Sequence, residues 1–162
     1  MRKREKGFSA VEILLVFALI TIIVLIALPV FNRLIKNYRV QTSATQLAVQ
    51  MRFARNAAVK QKLKHRIVIG EGTSTYSVEK EITFNSDTFE VIDGMDFNLP
   101  EGVTFNASSD DGPIIFNSRG FTEGSTTGYD IVLDIPTVGS GNVTYTVNVT
   151  PAGNVSTTRS ES

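Results

Sequence analysis

One carboxylate, Glu12, stands at the start of a run of side chains that carry no other charge until Arg33. A formal charge inside hydrocarbon costs roughly 2.5 to 3.5 kcal/mol on insertion scales and more on others. A carboxylate so placed needs a partner. An ammonium serves best, because a buried carboxylate and a buried ammonium each become tolerable only when they are brought together with good geometry. The plainer alternative is that Glu12, four residues past Phe8, lies at headgroup level and is solvated there.

The rest of the chain offers little for catalysis. It has one histidine, no cysteine and no tryptophan. His65 sits among Lys62, Lys64 and Arg66 at the expected end of a helix, where a solvated or carbonyl-capping side chain is the simple reading. There is no G-x-S-x-G, no nucleotide-binding glycine loop and no H-E-x-x-H, so the sequence argues against an enzyme and calls for no cofactor. Asp110-Asp111-Gly112 offers oxygen ligands to calcium, but it lacks the alternating carboxylates of an EF-hand loop, which favours a solvated turn and no metal.

The element that must position Glu12 is a helix of membrane-spanning length. Residues 8–31 form that span. Within it, residues 13–30 are broken only by Thr21 and Pro29, and at 1.5 Å per residue these 18 residues cover about 27 Å, just enough with their flanks to cross a bilayer. Pro29 is expected to kink the helix. A short basic leader, residues 1–7, precedes the span. The small, polar-flanked junction Gly7/Phe8 lies before the apolar run, whereas a secretory signal peptide places its cleavage site after it. The anchor is therefore expected to survive processing.

Gly7, Phe8, Glu12 as fifth residue after the junction, the apolar helix and Pro29 together resemble the class III leader of type IV pilins and type II secretion pseudopilins. The resemblance implies that a prepilin peptidase cuts between Gly7 and Phe8 and that the new amine of Phe8 is N-methylated. It also implies that Glu12 pairs with the amine of a neighbouring subunit's Phe8 during assembly. The site residues expected on this ground are Gly7 and Phe8 for leader cleavage, Phe8 for methylation, Glu12 for assembly and Pro29 for the kink.

Size and composition bound the remainder. At 162 residues, or 155 after loss of the leader, the chain has room for one helical anchor and one domain of about 95 residues. The absence of cysteine excludes a disulfide-stapled scaffold, and it also separates the chain from common major pilins, which usually close a C-terminal loop with a disulfide. Net charge is zero but uneven. Residues 32–66 hold nine basic side chains and no acid, while residues 67–162 hold three basic against fourteen acidic, a balance of minus eleven. Such a split suggests that the basic segment meets something negative, be it lipid headgroups, the chain's own acidic domain, an acidic neighbour or nucleic acid, while a solvated helix face is the plain alternative for any single one of these side chains.

That segment, residues 32–66, reads as an amphipathic helix continuing from the anchor into the head, with no Gly or Pro to interrupt it. Val40, Ala44, Leu47, Met51, Ala54 and Ala58 alternate at spacings of four and three, the period of one helical face. Three of the six are alanines, which would let a sheet approach closely. Val49 and Phe53 project from roughly the opposite side and are candidates for contact with other subunits.

Beyond it, residues 67–162 read as an antiparallel β head. Strands are expected at 66–70, 75–84, 88–92, 103–105 and 114–116, with a turn at 71–74 closing the first hairpin. The clearest pair is last. Tyr129, Ile131, Leu133 and Ile135 alternate with largely polar neighbours, Val143, Tyr145, Val147 and Val149 alternate with polar ones, and the loop 136–142 joins them.

The head extends the resemblance. Gln50-Met51-Arg52-Phe53-Ala54-Arg55-Asn56-Ala57-Ala58, Leu99-Pro100-Glu101-Gly102-Val103-Thr104-Phe105, Phe116-Asn117-Ser118-Arg119-Gly120 and Val149-Thr150-Pro151-Ala152-Gly153-Asn154-Val155 are similar to stretches of the H-type minor pseudopilins and the FimT/FimU minor pilins. The fold class this implies is α+β: a long N-terminal transmembrane and amphipathic helix packed on a head of antiparallel β-sheets. The implied role is a minor pilin or pseudopilin, built into a type II secretion pseudopilus or a type IV pilus, which it primes or caps. Implied partners are other pilin or pseudopilin subunits, the bacterial inner membrane, the prepilin peptidase and an assembly platform. The head would lie in the periplasm before it enters a filament. In such a bacterial setting Asn106, Asn142, Asn148 and Asn154, which fit the acceptor pattern for N-glycosylation, read more simply as strand and turn residues.

Some FimT-like minor pilins bind DNA through basic residues near the C-terminal tail. Here the corresponding tail, residues 153–159, has one basic residue, Arg159, and the head is strongly acidic, so a DNA-uptake pilin is the lesser alternative. A signal-anchored periplasmic binding domain is the other.

Overall fold

The computed structural model describes residues 9–70, 74–106, 112–135 and 143–161. Gly7 and Phe8, Asp110 and Asp111, and most of the expected turns at 71–74 and 136–142 fall outside them. The chain divides into two compact units, Met1–Lys36 and Asn37–Ser162. One helix, α1 (Ala10–Gln61), supplies all the regular structure described in the first and opens the second.

In the second unit, the four-three stripe of α1 forms one wall of a core. Val40, Ala44, Leu47, Met51, Ala54 and Ala58 are all buried, as the spacing predicts, and Ser43, Ala48 and Ala57 widen the buried face. Ser43 satisfies its hydroxyl by donating to Arg39 O at 2.9 Å. Val49 and Phe53 are exposed.

The helix ends at Gln61, not at residue 66. Lys62 takes φ of 60°, a left-handed stop usually left to glycine or asparagine, and the chain turns directly into β1 (His65–Ile69). β1 lies at the centre of a five-stranded antiparallel sheet. Its neighbours are β2 (Thr75–Glu81) and β5 (Ile114–Phe116), with β3 (Phe89–Asn98) beyond β2 and β6 (Thr122–Glu123) beyond β5. His65, Ile67, Tyr76, Val78, Ile114 and Phe116 face the core from this sheet.

A second sheet has the order β4 (Thr104–Phe105), β7 (Tyr129–Asp134), β8 (Val143–Val149), β9 (Val155–Glu161). The alternating residues of the expected last hairpin supply its inner face: Ile131, Leu133, Tyr145, Val147 and Val149 are buried. Thr150-Pro151-Ala152-Gly153-Asn154 then turns the chain into β9. Gly153 N–H donates to Thr150 O at 2.8 Å, Thr150 N–H donates to Asn154 O at 2.9 Å, and Gly153 has φ of 74°. This is a type I turn closed by a left-handed glycine bulge, for which Pro and Gly stand in the required places.

β9 and β6 are absent from the strand pattern of the sequence, and β3 is longer than 88–92. β3 passes through an irregularity: Ser77 pairs with Asp96 and Glu79 with Val91, so residues 92–95 stand opposite Val78 alone, with Gly94 at φ of 72°. Such a bulge on an outer strand bends it and blunts unwanted pairing.

Candidate functional site

In the first unit, Ser9 and Glu12 open α1. Ser9 O accepts from Glu12 N–H at 3.0 Å and from Ile13 N–H at 3.2 Å. Ser9-Ala10-Val11-Glu12 has the spacing of a capping box, and a carboxylate in the first helical turn gains about 0.3 to 1 kcal/mol from the helix dipole. The Glu12 side chain is exposed and forms no ion pair among the described residues.

Its surroundings are apolar and equally open. Val11, Leu14, Phe17, Ile23 and Ile26 are all more than half exposed, and Ile23, Val24, Ile26, Ala27, Leu28, Phe31 and Leu34 line a shallow apolar depression. Thr21, the one hydroxyl in the run, donates to Phe17 O at 2.8 Å, so it brings no unsatisfied donor into an apolar medium. A soluble surface rarely leaves so large a continuous apolar area uncovered. By length and composition α1 is able to cross a membrane. Pro29 lies inside the continuous span of α1.

In the second unit, two side chains of the basic segment, Lys64 and Arg66, meet the chain's own acids. Lys64 Nζ lies 2.8 Å from Asp87 and 3.2 Å from Glu123, and its pKa is raised, chiefly by the hydrogen bond to Asp87. Arg66 lies 2.6 Å from Glu79 and 4.1 Å above the Phe89 ring. Others find only carbonyls. Arg39 donates to Glu101 O at 3.1 Å, Arg52 to Val155 O at 3.0 Å, and Arg55 to Gly120 O and Ala152 O, both at 3.1 Å.

The Arg55 clamp depends on two glycines. A Cβ on Gly153 would meet Gly120 O and the Arg55 side chain, and one on Gly120 would crowd Val59 and Arg55; both glycines have positive φ. The turn signals Arg119-Gly120 and Ala152-Gly153 are visible in the sequence, but their convergence on one helical arginine is not.

His65 departs from its expectation. It is fully buried in β1, its Nδ1 lies 3.1 Å from Leu63 O, and its Nε2 has no hydrogen-bond partner among the described residues. A donating Nδ1–H leaves Nε2 as an unmet acceptor, and burial lowers the pKa. The residue is part of the core and not solvated, though it does meet a carbonyl, that of Leu63, just past the end of α1. Arg159 belongs to β9 and not to a loose tail. Of the sequence-derived site residues, the structure describes Glu12 and Pro29, both in α1.

No family model matches the chain, and no curated protein does. Solved structures do. The minor pseudopilin EpsH from the Type 2 Secretion System of Vibrio cholerae matches with a TM-score of 0.53 and 12% identity, over 74% of this chain and 96% of that one. The type IV minor pilin FimU of Pseudomonas aeruginosa matches in two crystal forms. One has a TM-score of 0.50 and 15% identity, over 73% of this chain and 91% of that one; the other has 0.51 and 14%, over 75% and 89%. At such identities the likeness is one of fold. The chain has the type IV pilin-like α+β fold, a long N-terminal apolar helix with antiparallel sheets.

Proposed function

We propose that this chain is a non-enzymatic subunit of a pilus-type filament, a minor pilin or pseudopilin that primes or caps a type II secretion pseudopilus or type IV pilus. The observation that carries the reading is Glu12, the one charge in the exposed apolar stretch of α1 before Arg33, on a chain with a pilin-like fold. Lipid covers that helix before assembly, and the helices of neighbouring subunits cover it afterwards. In either medium the carboxylate is costly unless matched.

The match is the N-terminal amine of a neighbouring subunit, freed when prepilin peptidase cuts between Gly7 and Phe8 and then methylated. The contact fixes the axial register of one subunit on the next, because a one-turn slip separates the charges by about 5.4 Å. The anchor holds the subunit in the inner membrane with its head in the periplasm until an assembly platform draws it into the fibre.

Two measurements test this. The intact mass of the membrane-extracted protein should show loss of residues 1–7 plus one methyl group. Glu12→Gln should lower incorporation into fibres by about ten-fold or more, the scale set by an unpaired buried charge. Full-length mass, or a Glu12→Gln chain incorporated as well as the wild type, would refute the proposal.

A further inference from the structure

β3 leaves its ladder between Val91 and Asp96. Val91 pairs with Glu79 and Asp96 with Ser77, so residues 92–95 stand opposite Val78 and have no partners of their own. Asp93 and Gly94 lie in the middle of this excursion, and both are exposed. Gly94 has φ of 72°, and a Cβ built on it would meet nothing within 4 Å. The Asp93 side chain makes no hydrogen bond or ion pair among the described residues. β3 is also an outer strand, paired to β2 alone.

An aspartyl Cγ and the backbone nitrogen of the next residue are spaced to close a five-membered ring. Two things ordinarily prevent it. The next side chain crowds the nitrogen, and ladder hydrogen bonds hold the peptide unit in place. Glycine removes the first obstacle, because without a Cβ its backbone can be approached closely. The bulge removes the second, because its extra residues are left unpaired.

We infer that Asp93-Gly94 is a self-modifying site, at which the folded chain converts Asp93 to isoaspartate through a succinimide. In the first step Gly94 N bonds to Asp93 Cγ, the amide proton is lost, and one carboxyl oxygen departs as water. In the second, water adds to either imide carbonyl and breaks the C–N bond there. Opening at Cγ restores aspartate. Opening at the Asp93 main-chain carbonyl leaves the chain running through Cβ and Cγ to Gly94, with the former carbonyl as a free carboxylate. Water is the sole co-reactant, and mass, charge and oxidation state are unchanged.

The other described aspartates lack these conditions. Asp96, Asp130 and Asp134 hold ladder register and precede Phe97, Ile131 and Ile135. Asp87 precedes Thr88, and Lys64 holds its carboxylate. The added backbone atom falls where β3 already departs from its ladder, so the pairs at Val91 and Asp96 bound the part that adjusts. The inference does not depend on the filament reading.

The test incubates the full chain, folded in detergent micelles at neutral pH, for weeks in oxygen-18 water. Fragment ions of a digest should place both isoaspartate and oxygen-18 at residue 93, separately from Asp111-Gly112. The rate should lie within about ten-fold of that of a synthetic peptide of residues 88–98, a barrier difference below about 1.4 kcal/mol. Gly94→Ala should suppress the product. Asp93→Asn should reach the same mixture faster, losing ammonia in place of water, which appears as conversion of amide to acid. Thermal unfolding of each sample checks that the fold is kept.

A chain that keeps Asp93 intact, or that reacts more slowly than this margin, shows that the fold protects the site and overturns the inference. So does a yield that Gly94→Ala leaves unchanged.

Discussion

The buried carboxylate of Glu81 takes the backbone N–H of Lys64 at 3.1 Å, while its other oxygen takes the N–H of Asp87 at 3.2 Å. One side chain thereby ties the entry to β1 to the turn after β2, and the Lys64 ammonium closes the same circuit on Asp87. Glu81→Gln keeps the shape but turns an N–H donor toward one of the two amides. The expected loss is about 2 kcal/mol, seen as a lower thermal midpoint of the detergent-solubilised chain.

His65 makes stability depend on pH with a defined sign. Burial lowers its pKa from 6.5 in the folded chain, so between the folded and unfolded values the unfolded chain holds the extra proton. The His65 contribution to stability is therefore constant above pH 6.5 and falls as pH drops below it, by at most about 1.4 kcal/mol per pH unit, until the folded pKa is reached. Chemical denaturation across pH 5 to 7 measures the slope. His65→Leu should reduce it.

Tyr76 stacks on Phe97 at 5.0 Å between centroids, and burial pushes its pKa up to about 12. Its buried hydroxyl has no hydrogen-bond partner among the described residues. Tyr76→Phe removes an unmet polar group while keeping the ring, so it should hold or raise stability by up to about 1 kcal/mol. A fall of the melting temperature would show that the hydroxyl is satisfied in solution.

Gly153→Ala places a methyl against Gly120 O and demands positive φ of an alanine. The expected cost is about 2 kcal/mol or more, from clash and backbone strain together. Gly94→Ala, with open space around it, carries only the backbone part. The difference between the two melting temperatures isolates the turn contact.

The core was legible where a period was clean. The α1 stripe and the alternation in β7 and β8 each put apolar residues on one face, and those residues are buried except Tyr129, Ile135 and Val143, which are partly buried against the core. β9 was not, because Ser156-Thr157-Thr158-Arg159-Ser160 carries no apolar alternation: an outer strand is held by its ladder and needs little core contact. The strand expected at 88–92 stops short of Asp93-Gly94, which forms a bulge within a longer β3. The end of α1 was hidden because a lysine takes the left-handed position, and His65 then falls on the inward side of a central strand. The carbonyl-bound arginines were not legible, since their partners lie 62 to 103 residues away in the chain.

β9 has a consequence for handling the molecule. It pairs with β8 residue for residue from Val155 to Glu161, and its side chains there are hydroxyl-rich. Cutting the chain after the Gly153 turn would strip this polar selvedge and bare the backbone of β8, whose Tyr145, Val147 and Val149 are strongly sheet-forming. A trimmed protein would be a sticky template for other chains, so purification handles belong beyond β9 and never in place of it.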